Sequence, residues 1–371
     1  MKITVVSPLF AIAGVPLAQL RFARTLASRG HEVKLVFGHI DSTFSLPEVA
    51  GFSIVNLKCR NVRSMLLPLM RFLKTEQPEI IFSAEDHLNA IVIMAVIVSG
   101  SKVRISGSSR VTPFDTYSTQ PFTKGWILKQ VMRALMWRAD VLTCVSRDMV
   151  TQYRQVFRYS KHICVYNIIA DPEFKERAAE PVIHPWFDNS NPYSPTLIAA
   201  GRLAPWKGFG DLIDAIALVR NHCSVRLLIL GDGPLRGELQ EKIDSRGLTE
   251  CIQLVGYVEN PLKYFSRADI FVLSSHVEGL PNVLVEAMLC GCTPVATDCP
   301  TGPREVLDDG KFGYLVRPHD PGSIAEGILK ALDAPIPADL LSKAVLPFHE
   351  TAVIARHFEL LNLPERAVDK V

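Results

Sequence analysis

The sequence predicts an α/β protein with two doubly wound, Rossmann-like parallel-sheet domains that face each other across a cleft. Three observations lead to this prediction. The chain has 371 residues, which suits two domains of ordinary size. Short β-branched runs alternate with helical patterns, and the alternation starts again after a proline-rich segment at residues 180–195. Hydrophobic residues make up 48% of the chain and charged residues 21%, which excludes a disordered or fibrous protein.

The first half opens with a βαβ unit. Residues 2–6 form a β-branched run, and a loop containing Gly14 follows. Apolar residues then recur at helical spacing over residues 17–27 and stop before Gly30, and residues 31–38 form the next strand. Further strands are predicted at residues 78–83, 103–107 and 141–146, and the apolar run 88–98 is predicted to be a buried helix, too short to span a bilayer.

The second half repeats this pattern. Strands are predicted at residues 196–200, 225–230, 252–255, 270–274 and 295–297, with helices at residues 209–219, 234–246 and 261–266. We assign residues 1–175 to an N-terminal domain, 176–195 to a proline-rich linker, 196–345 to a C-terminal domain, and 346–371 to a terminal helix that is free to cross back onto the first domain.

The net charge of +2 conceals a strong asymmetry. Residues 1–170 carry a net charge of +11 and the remaining residues −9. The first half therefore suits an anionic partner, such as a membrane surface, a phosphate-bearing acceptor or nucleic acid, and a scattered, solvated charge is the alternative. The eight cysteines have no paired spacing, and Cys290 and Cys292 have no further ligand at zinc spacing. We expect reduced thiols, no bound metal and a cytoplasmic protein.

The most informative segment runs from residue 274 to residue 288. It follows a buried strand, passes through a Gly/Pro/Asn loop and enters a helix, so the backbone amides of residues 279–283 are predicted to face an anion. Glu278 and Glu286 flank this turn. Because carboxylates repel phosphate, they are best explained as acceptors of hydrogen bonds from a ribose and a sugar ring, which indicates a sugar nucleotide. A capped helix with exposed acids is the alternative.

A second candidate loop follows the strand at residues 196–200. It contains Gly201, Arg202 and Lys207, and two cations at the carboxyl end of a parallel strand can neutralise a diphosphate without a metal. Surface residues that only aid solubility are the alternative. Further loops at the same sheet edge carry Gly231, Gly233, Tyr257 and Val258, and the segment 301–305.

Together these loops resemble the donor half of family-4 retaining glycosyltransferases of the GT-B architecture. The resemblance rests on Gly201-Arg202 to Lys207-Gly208, Gly231-Asp232-Gly233-Pro234, Glu278-Gly279-Leu280-Pro281-Asn282 to Glu286-Ala287, and Thr301-Gly302-Pro303-Arg304-Glu305. It covers residues 196–320 strongly and the first half more weakly. It implies that the N-terminal domain lies on the acceptor side and that the C-terminal domain binds the donor nucleotide.

The resemblance also implies a role for each candidate residue. Arg202 and Lys207 would hold the donor diphosphate, Glu278 would contact the transferred sugar, and Glu286 would bind the ribose. The donor site would further include Gly14, Gly201, Gly231 and Gly233, the backbone of Gly279, Leu280, Pro281, Asn282 and Val283, and Tyr257 and Val258 beside the base. Many family members place a histidine in the loop after the strand at residues 103–107, where Asp115 is the nearest polar substitute for contact with acceptor or sugar.

By this resemblance the protein is expected to be a metal-independent hexosyltransferase that retains the anomeric configuration. The donor would be a UDP-sugar, with a GDP-sugar as second option. The acceptor would be a hydroxyl of a glycan or lipid-linked saccharide in cell-surface polysaccharide or lipopolysaccharide biosynthesis, and neither a cofactor nor nucleic acid is expected. A nucleotide-sugar epimerase and a non-catalytic nucleotide-sugar binding protein are the alternatives. An NAD-dependent oxidoreductase is disfavoured, because the first loop supplies only Gly14 of its glycine motif.

Basic and apolar residues interleave at residues 58–74 and 124–138. An amphipathic basic surface of this kind fits peripheral attachment to anionic lipid on the inner face of the cytoplasmic membrane. The alternative is that the apolar members form the core side of ordinary helices and the basic ones a solvated rim.

Overall fold

The computed structural model of the protein describes residues 1–10, 14–40, 52–187 and 194–364. The chain divides into two compact units, Met1–Ile168 together with Glu350–Val371, and Ile169–His349. The division falls ahead of the predicted boundary at residue 175, because the amides of Ile169 and Ala170 donate to the carbonyl of Phe348 at 3.0 and 3.3 Å. Residues 176–187 of the predicted linker therefore belong to the second unit, and residues 188–193 lie outside the described part of the chain.

The first unit contains a seven-stranded parallel sheet. Its strands are β1 (Lys2–Phe10), β2 (Glu32–Ile40), β3 (Phe52–Asn56), β4 (Ile80–Ala84), β5 (Arg104–Ser109), β6 (Val141–Cys144) and β7 (His162–Cys164). Their order in the sheet is β3-β2-β1-β4-β5-β6-β7. β1 continues through Pro8, beyond its predicted end at residue 6, because there it pairs only with β2 and the register leaves Pro8 without a partner.

In the described part of the chain, six helices lie between the strands of this sheet or follow them directly. They are α1 (Gly14–Ser28), α2 (Leu66–Glu76), α3 (Asp86–Ser99), α4 (Pro113–Thr116), α5 (Lys124–Leu135) and α6 (Arg147–Val156). α3 confirms the predicted buried helix, and its buried Asn89 accepts a hydrogen bond from the Ser83 hydroxyl at 2.7 Å and donates to the Ser108 carbonyl at 3.0 Å. Within the described ranges, no helix is both long and apolar enough to span a bilayer.

The second unit contains a six-stranded parallel sheet with the same type of strand order. Its strands are β8 (Thr196–Ala200), β9 (Arg226–Leu230), β10 (Ile252–Gly256), β11 (Ile270–Leu273), β12 (Thr293–Thr297) and β13 (Tyr314–Val316), in the order β10-β9-β8-β11-β12-β13. Its helices are α7 (Phe174–Ala179), α8 (Phe209–Val219), α9 (Arg236–Ser245), α10 (Leu262–Phe265), α11 (Asn282–Leu289), α12 (Pro303–Val306), α13 (Pro321–Asp333) and α14 (Ala338–Ala344). The two parallel sheets confirm the predicted fold class.

The terminal helix, α15 (Glu350–Leu360), packs on the first unit. Val353, Ile354 and Phe358 are buried in the same apolar core as Ile3 of β1. The Arg104 guanidinium donates to the carbonyl of Leu361 just after the helix, at 2.5 Å. The end of the chain is therefore a structural part of the first unit.

Two buried histidines of the first unit are expected to make it less stable in acid. Burial lowers the pKa of both His162 and His357 to about 3, and the positive charge of Arg110 adds to the effect on His357. In the unfolded chain both titrate near the ordinary value of about 6.5. Above that pH both histidines are neutral in the folded and in the unfolded chain, and the free energy of unfolding has its full value. It decreases as the pH falls from about 6.5 towards 3, by up to about 1.4 kcal/mol per pH unit for each histidine, because only the unfolded chain then binds the proton.

Urea unfolding at a series of pH values between about 7.5 and 4.5 measures this loss. His357→Phe keeps a ring against Phe22 and Phe82 and should make the loss of stability in acid smaller, because one of the two histidines with a lowered pKa is gone. His222→Asn, at an exposed position of the second unit, is the control substitution, because it leaves both buried histidines of the first unit in place. The same slope in His357→Phe as in the parent chain would contradict the assignment.

Candidate active site

The carboxyl ends of β8 and β11 bring two candidate loops together. The order of the second sheet runs outward in both directions from this strand pair, and such a switch point is where doubly wound sheets bind ligands. The Ser274 hydroxyl donates to the Lys207 carbonyl at 2.9 Å, and the His276 amide donates to the Trp206 carbonyl at 2.8 Å. These bonds fix the loop after β8 directly to the loop after β11.

Lys207 and Glu278 form an ion pair at this point. Lys207 Nζ lies 2.6 Å from Glu278 Oε1, and the Ser275 hydroxyl donates to the same oxygen at 2.6 Å. The two charged side chains are 17% and 11% exposed, so water screens their attraction only in part. Within the described residues, Glu278 Oε2 has no hydrogen-bond partner. The pair can therefore offer a ligand one carboxylate oxygen and the remaining N–H donors of the lysine.

The backbone of Glu278 is held by the loop after β12. The Thr301 hydroxyl donates to the Glu278 carbonyl, and the Glu278 amide donates to the Pro300 carbonyl at 3.3 Å. Thr301 has a φ of +62°, which is unusual for a β-branched residue. Strained backbone of this kind persists where its surroundings impose it and is common at functional sites. The loop between β12 and α12 thus contributes to the candidate site by positioning Glu278.

Arg202 differs from Lys207 in its surroundings. The Arg202 side chain is exposed, and it forms no ion pair or hydrogen bond with any residue that the structure describes. Lys207 is already paired with the Glu278 carboxylate. The two predicted cations are therefore one exposed arginine and one lysine that a carboxylate partly neutralises.

The loops after β8, β9 and β10 are joined through their backbones. The Gly231 amide donates to the Gly256 carbonyl at 2.7 Å, and the Gly201 amide donates to the Leu230 carbonyl at 2.9 Å. A Cβ atom at Gly231, whose φ is +137°, would lie 1.9 Å from the Gly201 carbonyl oxygen, so the position requires glycine. A Cβ atom at Gly233 would lie 2.5 Å from the Leu203 carbonyl oxygen. Packing alone accounts for Gly231 and Gly233, and donor contact by these residues stays a prediction.

The N-terminus of α11 offers fewer amides than the sequence predicts. Pro281 has no N–H, and the Asn282 amide donates to the Leu280 carbonyl at 2.9 Å. The amides of Gly279, Leu280 and Val283 have no backbone acceptor within the described residues. The prediction that all five backbone amides face an anion is therefore wrong for Pro281 and Asn282, and it stays a prediction for the other three.

The residues predicted to contact ribose and base lie at the same edge of the second sheet. Glu286 is partly buried on α11, and its charge adds to the effect of burial in raising the pKa of the Cys290 thiol to about 12. Tyr257 and Val258 follow β10, an outer strand of the sheet, and Tyr257 is 56% exposed. No hydrogen bond or ion pair joins these three side chains to the Lys207–Glu278 pair among the described residues.

Two predicted site residues belong to the first unit. Gly14, predicted to lie in a loop, is the first residue of α1, and residues 11–13 before it lie outside the described ranges. Asp115 is exposed on α4 and lines a cavity of about 1090 Å³. The structure therefore places Asp115 in a concave surface, as a residue that meets a substrate must be.

The same cavity holds a cluster of titratable residues that the sequence analysis missed. Asp86 is 4% exposed at the start of α3, and it accepts hydrogen bonds from the Ser109 hydroxyl at 2.7 Å and from the Tyr153 hydroxyl. Burial raises the pKa of both Asp86 and Glu85, and Arg110 opposes that rise at Glu85. These partners come from separate segments, so no local pattern reveals the cluster.

Two protein families together match most of the chain. Residues 13–172 match the family described as Glycosyltransferase Family 4, and residues 194–334 match the one described as Glycosyl transferases group 1. The first match lies in the N-terminal half of the chain and the second in the C-terminal half.

Two bacterial sugar transferases are similar to this chain in sequence. The N-acetylgalactosamine-N,N'-diacetylbacillosaminyl-diphospho-undecaprenol 4-alpha-N-acetylgalactosaminyltransferase of Campylobacter jejuni is 30% identical over 247 residues, which cover 66% of this chain and 64% of that protein. The lipopolysaccharide core biosynthesis glycosyltransferase LpsE of Rhizobium meliloti is 33% identical over 162 residues, which cover 43% of this chain and 45% of that protein. The chain spans less than two thirds of the length of either relative.

Solved structures share the fold over nearly the whole chain. Anabaena HepE in complex with UDP-glucose aligns with a TM-score of 0.77 at 19% identity, covering 98% of this chain and 99% of that one. Sucrose-phosphate synthase from Thermosynechococcus elongatus aligns with a TM-score of 0.75 at 16% identity, covering 97% and 98%. These likenesses confirm the predicted GT-B architecture.

Proposed function

The chain belongs to the family-4, or group 1, glycosyltransferases, and from this premise we propose that it transfers a sugar from a nucleoside diphosphate sugar to a hydroxyl of a saccharide acceptor. The observation that carries the proposal is the Lys207–Glu278 pair at the switch point between β8 and β11. A diphosphate is stabilised by a cation, and a sugar hydroxyl donates to a carboxylate oxygen. A nucleotide sugar satisfies both side chains at once.

The proposed reaction breaks the bond between the anomeric carbon and the diphosphate oxygen and forms a bond from that carbon to the acceptor oxygen. The acceptor attacks on the face from which the diphosphate leaves, so the anomeric configuration is retained, and the hydroxyl proton moves to the departing diphosphate. Lys207 and Arg202, in the loop after β8, supply positive charge as negative charge grows on the leaving group, without a metal. Glu278 Oε2 accepts a hydrogen bond from the transferred sugar. Electrostatic stabilisation of this kind is usually the largest single catalytic contribution.

We favour a UDP-sugar as donor and a glycan or lipid-linked saccharide as acceptor, with a GDP-sugar as the second donor option. The Anabaena protein of similar fold was solved with UDP-glucose. The Campylobacter relative is named for transfer of N-acetylgalactosamine to a saccharide on diphospho-undecaprenol, and the Rhizobium relative for lipopolysaccharide core biosynthesis. These names support a role in cell-surface polysaccharide or lipopolysaccharide synthesis. Asp115, in the cavity of the first unit, is the proposed polar contact to the acceptor.

Incubation with a panel of UDP- and GDP-sugars tests the proposal. We expect one donor to release its nucleoside diphosphate in a manner that depends on added saccharide or lipid extract, and the acceptor to gain the mass of one sugar residue. An epimerised nucleotide sugar formed without acceptor would instead identify an epimerase. Nucleotide binding without turnover of any donor, across a range of acceptors, would identify a binding protein.

We further propose that the first unit rests on an anionic membrane surface and that the protein is a peripheral cytoplasmic one. α2 and α5 both pack on α3. Leu67 on α2 is 62% exposed, Ile127 on α5 is 47% exposed, and Trp137 just after α5 is 65% exposed. The exposed cations Arg71 and Arg133 lie on the same two helices. Exposed apolar side chains among cations are typical of helices that lie in a lipid interface.

Liposome sedimentation tests the membrane proposal. The parent chain should pellet with phosphatidylglycerol vesicles at least tenfold more than with phosphatidylcholine vesicles, because each basic residue near an anionic surface contributes about 1 kcal/mol. Leu67→Ser combined with Trp137→Ser should lower pelleting severalfold, whereas Leu346→Ser, at an exposed site of the second unit, should not. Equal pelleting with both lipids would discard the proposal.

A further inference from the structure

Three side chains with metal-binding atoms meet at the carboxyl edge of the second sheet. Asp211 lies in the first turn of α8, His276 follows β11, and His319 follows β13. His276 Nε2 lies 2.8 Å from Asp211 Oδ2, and the centroids of the two imidazole rings are 3.6 Å apart. One ligand atom from each residue lies within 4.8 Å of the other two. The three residues come from segments far apart in the sequence, so their meeting is a product of the fold.

The backbone of His319 provides a second, independent observation. Its φ is +58°, in the left-handed region that glycine adopts without steric penalty and that a histidine enters at a cost in free energy. The side chain is exposed, so burial of the imidazole does not repay that cost. Strain at a polar residue whose side chain points to a cluster of ligand atoms is an indication of function.

We propose that Asp211, His276 and His319 bind a divalent transition-metal ion of the zinc class. Two imidazoles and one carboxylate form a donor set that zinc accepts, with water or a ligand in the remaining position. Bonds of about 2.0–2.2 Å place ligand atoms about 3.3 Å apart around a tetrahedral ion. The His276–Asp211 separation of 2.8 Å lies below this value, and all three ligand atoms lie within 4.8 Å of one another, so the site is completed when the exposed His319 ring turns away from the ring of His276.

The ion would connect three segments around the candidate active site. α8 begins directly after Lys207 and Gly208, and His276 lies two positions before Glu278. The inference rests on the three ligand side chains and does not depend on the proposed transfer reaction, in which the ion has no step. Binding of the ion is expected to stabilise the second unit and to fix the loops that carry Lys207 and Glu278.

Titration of the full chain with Zn²⁺ and with Co²⁺ tests the site. We expect one ion per chain by calorimetry, Co²⁺ absorption bands free of cobalt–thiolate charge transfer, and a rise of about 5–10 °C in the unfolding midpoint at a hundredfold excess over Kd. His319→Gly removes one ligand and relieves the left-handed strain, so the variant should fold at least as well as the parent in chelator and bind the ion at least tenfold more weakly. His276→Asn should act in the same direction.

His222→Asn is the matched control, because His222 is an exposed histidine of the same unit away from the cluster. Its affinity for the ion should equal that of the parent. The proposal is overturned by the absence of one-to-one binding at about 100 µM free metal, which is weak for a protein site. It is also overturned by unchanged affinity in His319→Gly, or by cobalt–thiolate absorption, which would assign the metal to the cysteines.

Discussion

Lys207→Met is expected to lower the rate of donor turnover by roughly a hundredfold or more, the usual loss when a group that stabilises developing negative charge is removed. Lys207 Nζ is 2.6 Å from Glu278 Oε1 and its side chain is only partly exposed, so water does not replace its charge. If the charge acts mainly on the leaving diphosphate, kcat falls more than the donor KM rises. The measurement is nucleotide release with the donor that the panel identifies.

Lys242→Met is the matched control for this variant. Lys242 Nζ lies 2.7 Å from Asp214 Oδ2, with the two side chains 31% and 22% exposed, so the variant loses a similar ion pair in the same unit. Lys242→Met should lose about 1 kcal/mol of stability or less, because its ion pair is the more exposed of the two, and only Lys207→Met should lose activity. The double variant Lys207→Met/Glu278→Gln removes the unpaired carboxylate and should recover stability without recovering turnover. If Lys207→Met turns over the donor within about threefold of the parent rate, Lys207 does not stabilise the leaving diphosphate.

The long elements of the second unit could be predicted from sequence because their local signals agree. β8 and α8 have the predicted bounds, since Pro195 and Gly201 limit the strand and the apolar residues of the helix recur at a regular spacing. β7 and β13 were missed because each has only three residues, too few for a periodic pattern. Topology decides where such short strands pair.

The candidate site was predictable residue by residue but not as an arrangement. Lys207 and Glu278 were each recognised from their loops, yet their ion pair depends on β8 and β11 being neighbours in the sheet. The amide of Asn282 was predicted to face a ligand, because the local bond that it makes to Leu280 has no sequence signature. The cluster of Asp211, His276 and His319 was not predicted, because it depends on the backbone conformation of His319 and on two segments that are distant in sequence. Sequence patterns report local preference, and these features arise from tertiary contacts.

Gly208 is the position in the candidate site where adding a single methyl group is expected to be most destabilising. It joins the turn that carries Lys207 to the start of α8, and its φ is +63°. A Cβ atom there would lie 2.0 Å from the carbonyl oxygen of Ser274, which directly follows β11, and 2.9 Å from His276 Nε2. The carbonyl belongs to the backbone, so the clash can be relieved only by separating the loop after β8 from the loop after β11.

Gly208→Ala is therefore expected to destabilise the second unit by about 3 kcal/mol or more, the sum of a left-handed alanine and an overpacked contact. This corresponds to a fall of roughly 6–12 °C in the unfolding midpoint. Gly247 is the matched control, because its φ is +64° and a Cβ atom added there would meet no described atom within 4 Å. Gly247→Ala should cost only about 1 kcal/mol, so the difference between the two variants isolates the contact with Ser274. Equal losses in the two variants would show that the loops after β8 and β11 are not packed against each other in the way that brings Lys207 to Glu278.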